Sequence, residues 1–147
     1  MRLPYPMEPL MQHRPALDLA DAQTIGAAAL EHARNNQGKV SIAICDDGGH
    51  LLWFARMDGA PPMSAQIAPG KADCAARARK ASGVLEKVIN EGRTAALKMP
   101  VLTLEGGEMI VVDGVCVGAV GVSGVKSTED ADIARAGIAA IGAATSF

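Results

Sequence analysis

Aromatic side chains are almost missing from this chain. Among its 147 residues only Tyr5, Trp53, Phe54 and Phe147 carry a benzene or indole ring. Proteins that hold single-stranded nucleic acid stack its bases on such rings, so base stacking is excluded as a main activity. Charge of one sign is scarce too. The formal net charge is −2 and no basic stripe runs along the sequence, so the phosphate backbone of a nucleic acid finds no counter-surface. No apolar run approaches the roughly 18 residues that a membrane-spanning helix needs. Met1–Pro15 contains Arg2, His13 and Arg14 but no uninterrupted apolar core, so no secretory leader is expected there. Cys45, Cys74 and Cys116 are odd in number and show no C-x-x-C spacing. They predict buried free thiols in a reducing cytoplasm rather than disulfides or a cysteine zinc site. Neither a G-x-S-x-G serine elbow nor a G-x-G-x-x-G or P-loop phosphate motif occurs, and no H-x-x-x-H pair marks a metal.

What is present is small and apolar. Hydrophobic residues make up 49% of the chain, with alanine and glycine abundant, and charged residues 20%. That composition and length predict one folded domain with closely packed elements. Four prolines in residues 1–16 exclude helix and inner strand and predict a tail, with the domain over 17–147. Asp18 is placed to cap a helix whose apolar stripe is Leu19, Ala22, Ile25, Gly26, Ala29 and Ala33. Lys39–Asp46 and His50–Met57 flank Asp47-Gly48-Gly49 and predict a hairpin. Ser64–Lys80 is helical in composition, with Pro69 predicting either a kink or a later start. A further helix is expected from Ser82 to Met99, stopped by Pro100, followed by a loop at Glu105–Glu108. Met109–Val112 and Val115–Val122 around Asp113-Gly114 form a second expected hairpin, and Ser127 or Thr128 opens a last helix. The fold class is therefore α+β around an antiparallel sheet.

Loops at strand ends collect functional groups, and here they hold Asp46, Asp47, Arg56, Asp58, Lys71 and Glu105. Arg56 offers a planar fork and Lys71 a point charge to a carboxylate; the alternative is an Arg56–Asp58 or a Lys71–Glu105 ion pair that orders the loops. Gly118, Gly121 and Gly124, spaced G-x-x-G-x-x-G, resemble a phosphate loop only loosely and are read as places where a neighbouring helix or a ligand approaches the strand closely. His13, His32 and His50 are the only imidazoles. Any one can ligate a metal cofactor, since haem iron needs as little as one protein ligand.

The segments SIAICDDGGHLLWFARMDGAPPMSAQIAPGKA, LEGGEMIVVDGVCVGAVGVSG and ARAGIAAI resemble the GlcG/HbpS-like family, which includes the C-terminal domain of PduO-type proteins. The carrying motifs are the Val40–Leu51 hairpin, R-M-D-G-A at Arg56–Ala60, G-K-A at Gly70–Ala72, E-G-G at Glu105–Gly107 and G-x-x-G-V-S-G at Gly118–Gly124. The resemblance implies a profilin-like, five-stranded antiparallel sheet flanked by helices, with Val101–Leu104 as the remaining strand. It also implies a homo-oligomer, from dimer up to octamer, and a small ligand, with haem or a related tetrapyrrole as the family's described cofactor. It carries Arg56, Asp58, Lys71 and Glu105, with Gly106 and Gly107, as site residues, and leaves His32 and His50 as alternative axial ligands. Three functional readings follow: a cytoplasmic ligand-binding protein, an enzyme acting on a small carboxylate or hydroxy acid in a catabolic pathway, or an accessory protein of a catabolic complex with no ligand chemistry of its own. In the second, Arg56 and Lys71 clamp the carboxylate and Asp46, Asp58 or Glu105 is the general base.

Overall fold

The first helix, α1 (Leu19–Asn35), starts where its cap predicts: the Asp18 carboxylate accepts the Asp21 amide at 2.8 Å. The computed structural model describes residues 10–147, so the sequence expectations for residues 1–9 of the tail lie outside it. Residues 12–18 are irregular, and Leu17 packs against the main core. Strands β1 (Ser41–Asp46) and β2 (Leu51–Arg56) form the first hairpin, and β3 (Gly107–Val112) and β4 (Val115–Ser123) the second. In the β3–β4 turn, Asp113 and Gly114 both have positive φ, 51° and 73°. A two-residue turn of that hand matches strand twist and favours the Asp-Gly pair found there. The sheet is antiparallel, ordered β2-β1-β4-β3.

The four strands are one fewer than expected. Val101–Leu104 is irregular backbone, and Leu102 lays its side chain against Gly70 of helix α2 (Ser64–Ala78). The segment is apolar because it packs on a helix, not because it pairs in a ladder. Beyond β3 there is, among the described residues, a single bridge, in which Val111 and Ala144 exchange both backbone hydrogen bonds. Two helix expectations also change. Pro69 lies inside α2, which nevertheless runs from Ser64 without a later start. The helix that was to reach Met99 stops early: α3 spans Ser82–Asn90, Gly92 takes φ 109°, and a separate 3₁₀ helix covers Thr94–Lys98. Only glycine adopts that φ without strain, so Gly92 ends the helix before Pro100 can. The expected Glu105–Glu108 loop is shorter too, since Gly107 and Glu108 already belong to β3.

The sheet separates two unlike layers. Ile42, Ile44, Ile110, Val117, Val120 and Val122 face α1 and the last helix, α4 (Ser127–Ala139), and form the large-residue core with Ile25, Ile133 and Ile138. On the opposite face Ala43, Cys45 and Ala119 meet Ala68, Ala72, Ala75 and Ala76 of α2. Side chains this small let main chain touch main chain. A Cβ on Gly121 would collide with the Ala68 carbonyl and lie 2.5 Å from the Ala72 nitrogen, and one on Gly107 would collide with the Lys71 carbonyl. Gly118 lies against the Cys45 carbonyl and Gly124 against that of Lys39. The spaced glycines are thus seats for neighbouring backbone, as their pattern predicts. The scarcity of aromatics has the same origin, and Trp53 is the exception: its ring lies over α1 and takes the space that a side chain on Gly26 would need.

Candidate functional site

Most sequence-predicted site residues gather at one end of the sheet, where β1 and β3 begin and β2 and β4 end. Ser41 pairs with both Arg56 and Ser123, and Gly107 pairs with Gly121, so Arg56, Asp58, Lys71 and Glu105 share this end. Asp46 finishes β1 at the other end. Neighbouring strands are spaced about 4.8 Å apart, so Arg56 on outer strand β2 and Glu105 beside outer strand β3 are about 14 Å apart across the sheet. They do not close on one small substrate.

Lys71 sits on α2 among the alanines that face the sheet, and it is 4% exposed. A lysine there must be neutralised. Its Nζ donates to Asp130 Oδ2 and to the Val122 carbonyl, each at 2.9 Å. The other Asp130 oxygen accepts the Val125 amide at 3.1 Å. Burial pushes the Asp130 carboxyl above the usual aspartate range, against the pull of the Lys71 ammonium. Lys71, expected to bind a ligand's carboxylate or pair with Glu105, instead carries an internal carboxylate and ties α2, β4 and α4 together. Gly106 and Gly107 are explained by the same lysine. Gly106, at φ 128°, leaves room for Lys71 Nζ, 2.7 Å from where a Cβ would stand. The Gly107 amide donates to the buried Ser82 Oγ at 2.8 Å.

Glu105 is half-buried and accepts the Ser127 hydroxyl at 3.3 Å, while its amide donates to Glu86 Oε2 at 3.2 Å. With Gly83, Glu86, Asn90 and Glu91 it borders an open groove of about 470 Å³. Arg56 and Asp58 are exposed and form no ion pair with each other. They line a second groove, of about 390 Å³, together with Leu30, Arg34, Ala55 and Met57.

The two candidate imidazoles stand at opposite ends of the molecule. His50 is at the β1–β2 turn, its side chain 84% exposed, with Nδ1 3.3 Å from Asp46 Oδ1. Asp46 Oδ1 also accepts the Gly48 and His50 amides at 2.9 and 3.0 Å. Its burial opposes ionisation, but these amides and the ring outweigh it and hold its carboxyl below the usual range. Asp46 is therefore the hinge pin of a turn, and a weak base. His32, in the last turn of α1, is half-buried and borders a groove of about 190 Å³ with Asn36, Gly38, Val125, Glu129 and Asp132. Its ring makes no hydrogen bond among the described residues, which leaves a ring nitrogen available to a ligand.

Three residues escape the sequence reading. Asp130 is one; its signal is the lysine on the inner stripe of α2, which demands a buried partner. Glu108 and Arg135 are the others, 2.7 Å apart, with Arg135 also 2.6 Å from Asp132. Burial raises the Glu108 carboxyl above its usual range against the opposing pull of Arg135.

No group of three or more metal-ligating side chains converges among the described residues. No helix there is long and apolar enough to cross a membrane. The grooves at His32, Arg56 and Glu105 are open among the described residues, and none of the three encloses a porphyrin. The fit to haem is accordingly partial: an unengaged imidazole beside Val125 and Gly38, with no slot around it.

Comparison with known proteins agrees with the fold and the motifs. Protein GlcG of Escherichia coli K12 is 50% identical over 103 residues, covering 69% of this chain and 77% of that protein. The crystal structure of the PduOC:heme complex superposes with a TM-score of 0.82 at 33% identity, covering 90% of this chain and all of that one. The crystal structure of HbpS superposes at 0.83 and 30% identity, covering 94% and 99%. A family model described as haem degrading protein HbpS-like matches residues 17–139. The α+β sheet, the glycine seats and these matches together place the chain in the HbpS-like family.

Proposed function

We propose that this protein binds haem or a related tetrapyrrole, with His32 as the axial ligand. The observation that carries the assignment is the half-buried His32 ring, which makes no hydrogen bond among the described residues and borders a groove with Val125, Gly38, Asn36, Glu129 and Asp132. The relative whose structure is a haem complex supports the class of ligand. Bound haem supplies a redox-active iron. The chain's own part is to hold the imidazole in place at the end of α1, where the Asn36 amide and side chain both bond the His32 carbonyl. A porphyrin held by His32 would meet the groove wall of Gly38 and Val125 beside α1.

Self-association belongs to the same proposal. Strand β2 is an outer strand, and Leu51 and Phe54 on it are 55% and 37% exposed, with Met63 nearby in sequence at 65%. An unpaired apolar edge of this kind is ordinarily covered in solution. Light scattering at micromolar concentration tests this: a clean 15.1 kDa species refutes it. A reducing cytoplasm suits the three buried, unpaired cysteines.

The ligand assignment is tested with haemin and the Soret band. His32→Ala removes the shift seen with the unaltered protein, and His50→Ala keeps it. The reverse pattern moves the ligand to His50, and an unchanged shift in both variants rules out histidine ligation.

The enzyme reading finds less support. Lys71 is committed to Asp130, Glu105 lies across the sheet from Arg56, and Asp46 is at the far end, which leaves Asp58 as the one acid candidate that shares a groove with Arg56.

A further inference from the structure

We propose that the groove between the end of α1 and the end of β2 is a separate binding site for a small monocarboxylate with an apolar body, its carboxylate held by Arg34 and Arg56. The groove measures about 390 Å³, within the range of about 300–1,000 Å³ usual for small-molecule sites. Leu30, Ala55 and Met57 provide apolar surface, and Leu30 and Met57 also pack against the main core, so that surface is fixed. Around it stand Arg34, Arg56 and Asp58, all exposed.

The arginines decide the ligand's chemistry. Arg14, Arg77, Arg79 and Arg135 each lie within 4.0 Å of an aspartate or glutamate oxygen, whereas Arg34, Arg56 and Arg93 have no such partner among the described residues, and of these three Arg34 and Arg56 line the groove. Two unpaired guanidiniums beside apolar surface match a planar carboxylate on an apolar body. Asp58 sets the stoichiometry. Two cations and one anion leave a formal charge of +1 at the groove, which one carboxylate neutralises and a dicarboxylate overshoots. This site keeps the Arg56 role read from the sequence and puts Arg34 where Lys71 was expected. It is independent of haem. His32 and Arg34 are two residues apart on α1, about 200° around the helix, and open onto different grooves.

The test is titration of the full chain with hexanoate, followed by backbone amide NMR shifts, with hexanamide and sulfate as comparison probes. Hexanoate is expected to shift Leu30, Ala55 and Met57 saturably and to bind at least about tenfold more tightly than hexanamide. Arg34→Gln and Arg56→Gln each weaken hexanoate about three- to tenfold, and Asp58→Asn strengthens it. Equal binding of hexanamide reduces the groove to a greasy surface and overturns the proposal. So does sulfate binding as tightly as hexanoate, hexanoate binding unchanged in the double arginine variant, or no saturable shift at all. The haemin titration of the double variant is read alongside; an unchanged Soret band with lost hexanoate binding separates this site from the His32 site.

Discussion

Lys71 and Asp130, 59 positions apart in sequence, meet 2.9 Å apart with side chains only 5% and 3% exposed. The pair fastens the middle of α2 to the first turn of α4 and, through Val122 and Val125, to the loop leaving β4. Removing one partner strands the other's charge in the interior. Asp130→Asn and Lys71→Met are each expected to cost about 3–5 kcal/mol, read as the shift in a urea unfolding curve. The double replacement Lys71→Met with Asp130→Leu is expected to cost less than either single change, because no buried charge then remains. A double variant as damaged as the sum of the singles contradicts this.

The seam between α2 and the sheet makes a second prediction. Gly121→Ala adds one carbon where the Ala68 carbonyl and the Ala72 nitrogen already stand. Both are backbone atoms of one helix, so relief requires moving the helix. A loss of more than about 1–3 kcal/mol is expected, whereas Gly114→Ala, where a Cβ meets nothing within 4 Å, costs only its positive-φ strain of about 1 kcal/mol. Equal thermal shifts for the two variants count against the seam.

Thiol chemistry supplies a third. Burial pushes the Cys45 thiol up to about 12 and the Cys74 thiol up to about 11. Only the thiolate attacks a disulfide reagent, so at pH 8 both stay silent in the folded protein. An aromatic disulfide reagent should release three equivalents after unfolding and leave Cys45 and Cys74 unmodified before it, as mass spectrometry of peptides will show.

The fourth concerns acid. The Asp46 carboxyl is held below its ordinary value of 3.8, so the ionised form favours the folded state. Its contribution is complete above pH 3.8 and is lost as pH falls through the lowered value. Glu108 and Asp130, both raised, act in the opposite sense: what they add is complete below their ordinary values of 4.5 and 3.8 and declines as pH rises through the raised ones. Asp46→Asn is expected to flatten the loss of stability between pH 5 and pH 2 relative to the unaltered chain, measured as urea midpoints. An unchanged slope removes Asp46 from the acid response.

The two hairpins, the α1 cap and the glycine seats were legible because each is a local agreement between residue type and backbone. Asp113-Gly114 needs only its own two φ angles to declare a turn. The hairpin turns declare four strands, as found; Val101–Leu104 is read as a fifth only because the family resemblance implies one, and it packs on Gly70 of a helix instead. The candidate site was legible as a set of residues and not as an arrangement. Nothing near Lys71 in sequence names Asp130, whose position among the acids of α4 reads as ordinary compensation of a helix terminus. Arg34 was hidden likewise, since a basic residue in the last turn of a helix has that same everyday explanation.

The two faces of the sheet leave unequal room for inherited change. Across the alanine and glycine seam, main chain rests on main chain, and no neighbouring rotamer can yield to an added carbon. The grooves beside α1 end in long side chains and open space. An added carbon along the α2 side is therefore expected to unseat a helix, whereas an exchange of side chains at the end of α1 and β2 is expected to reshape a groove and leave the fold standing.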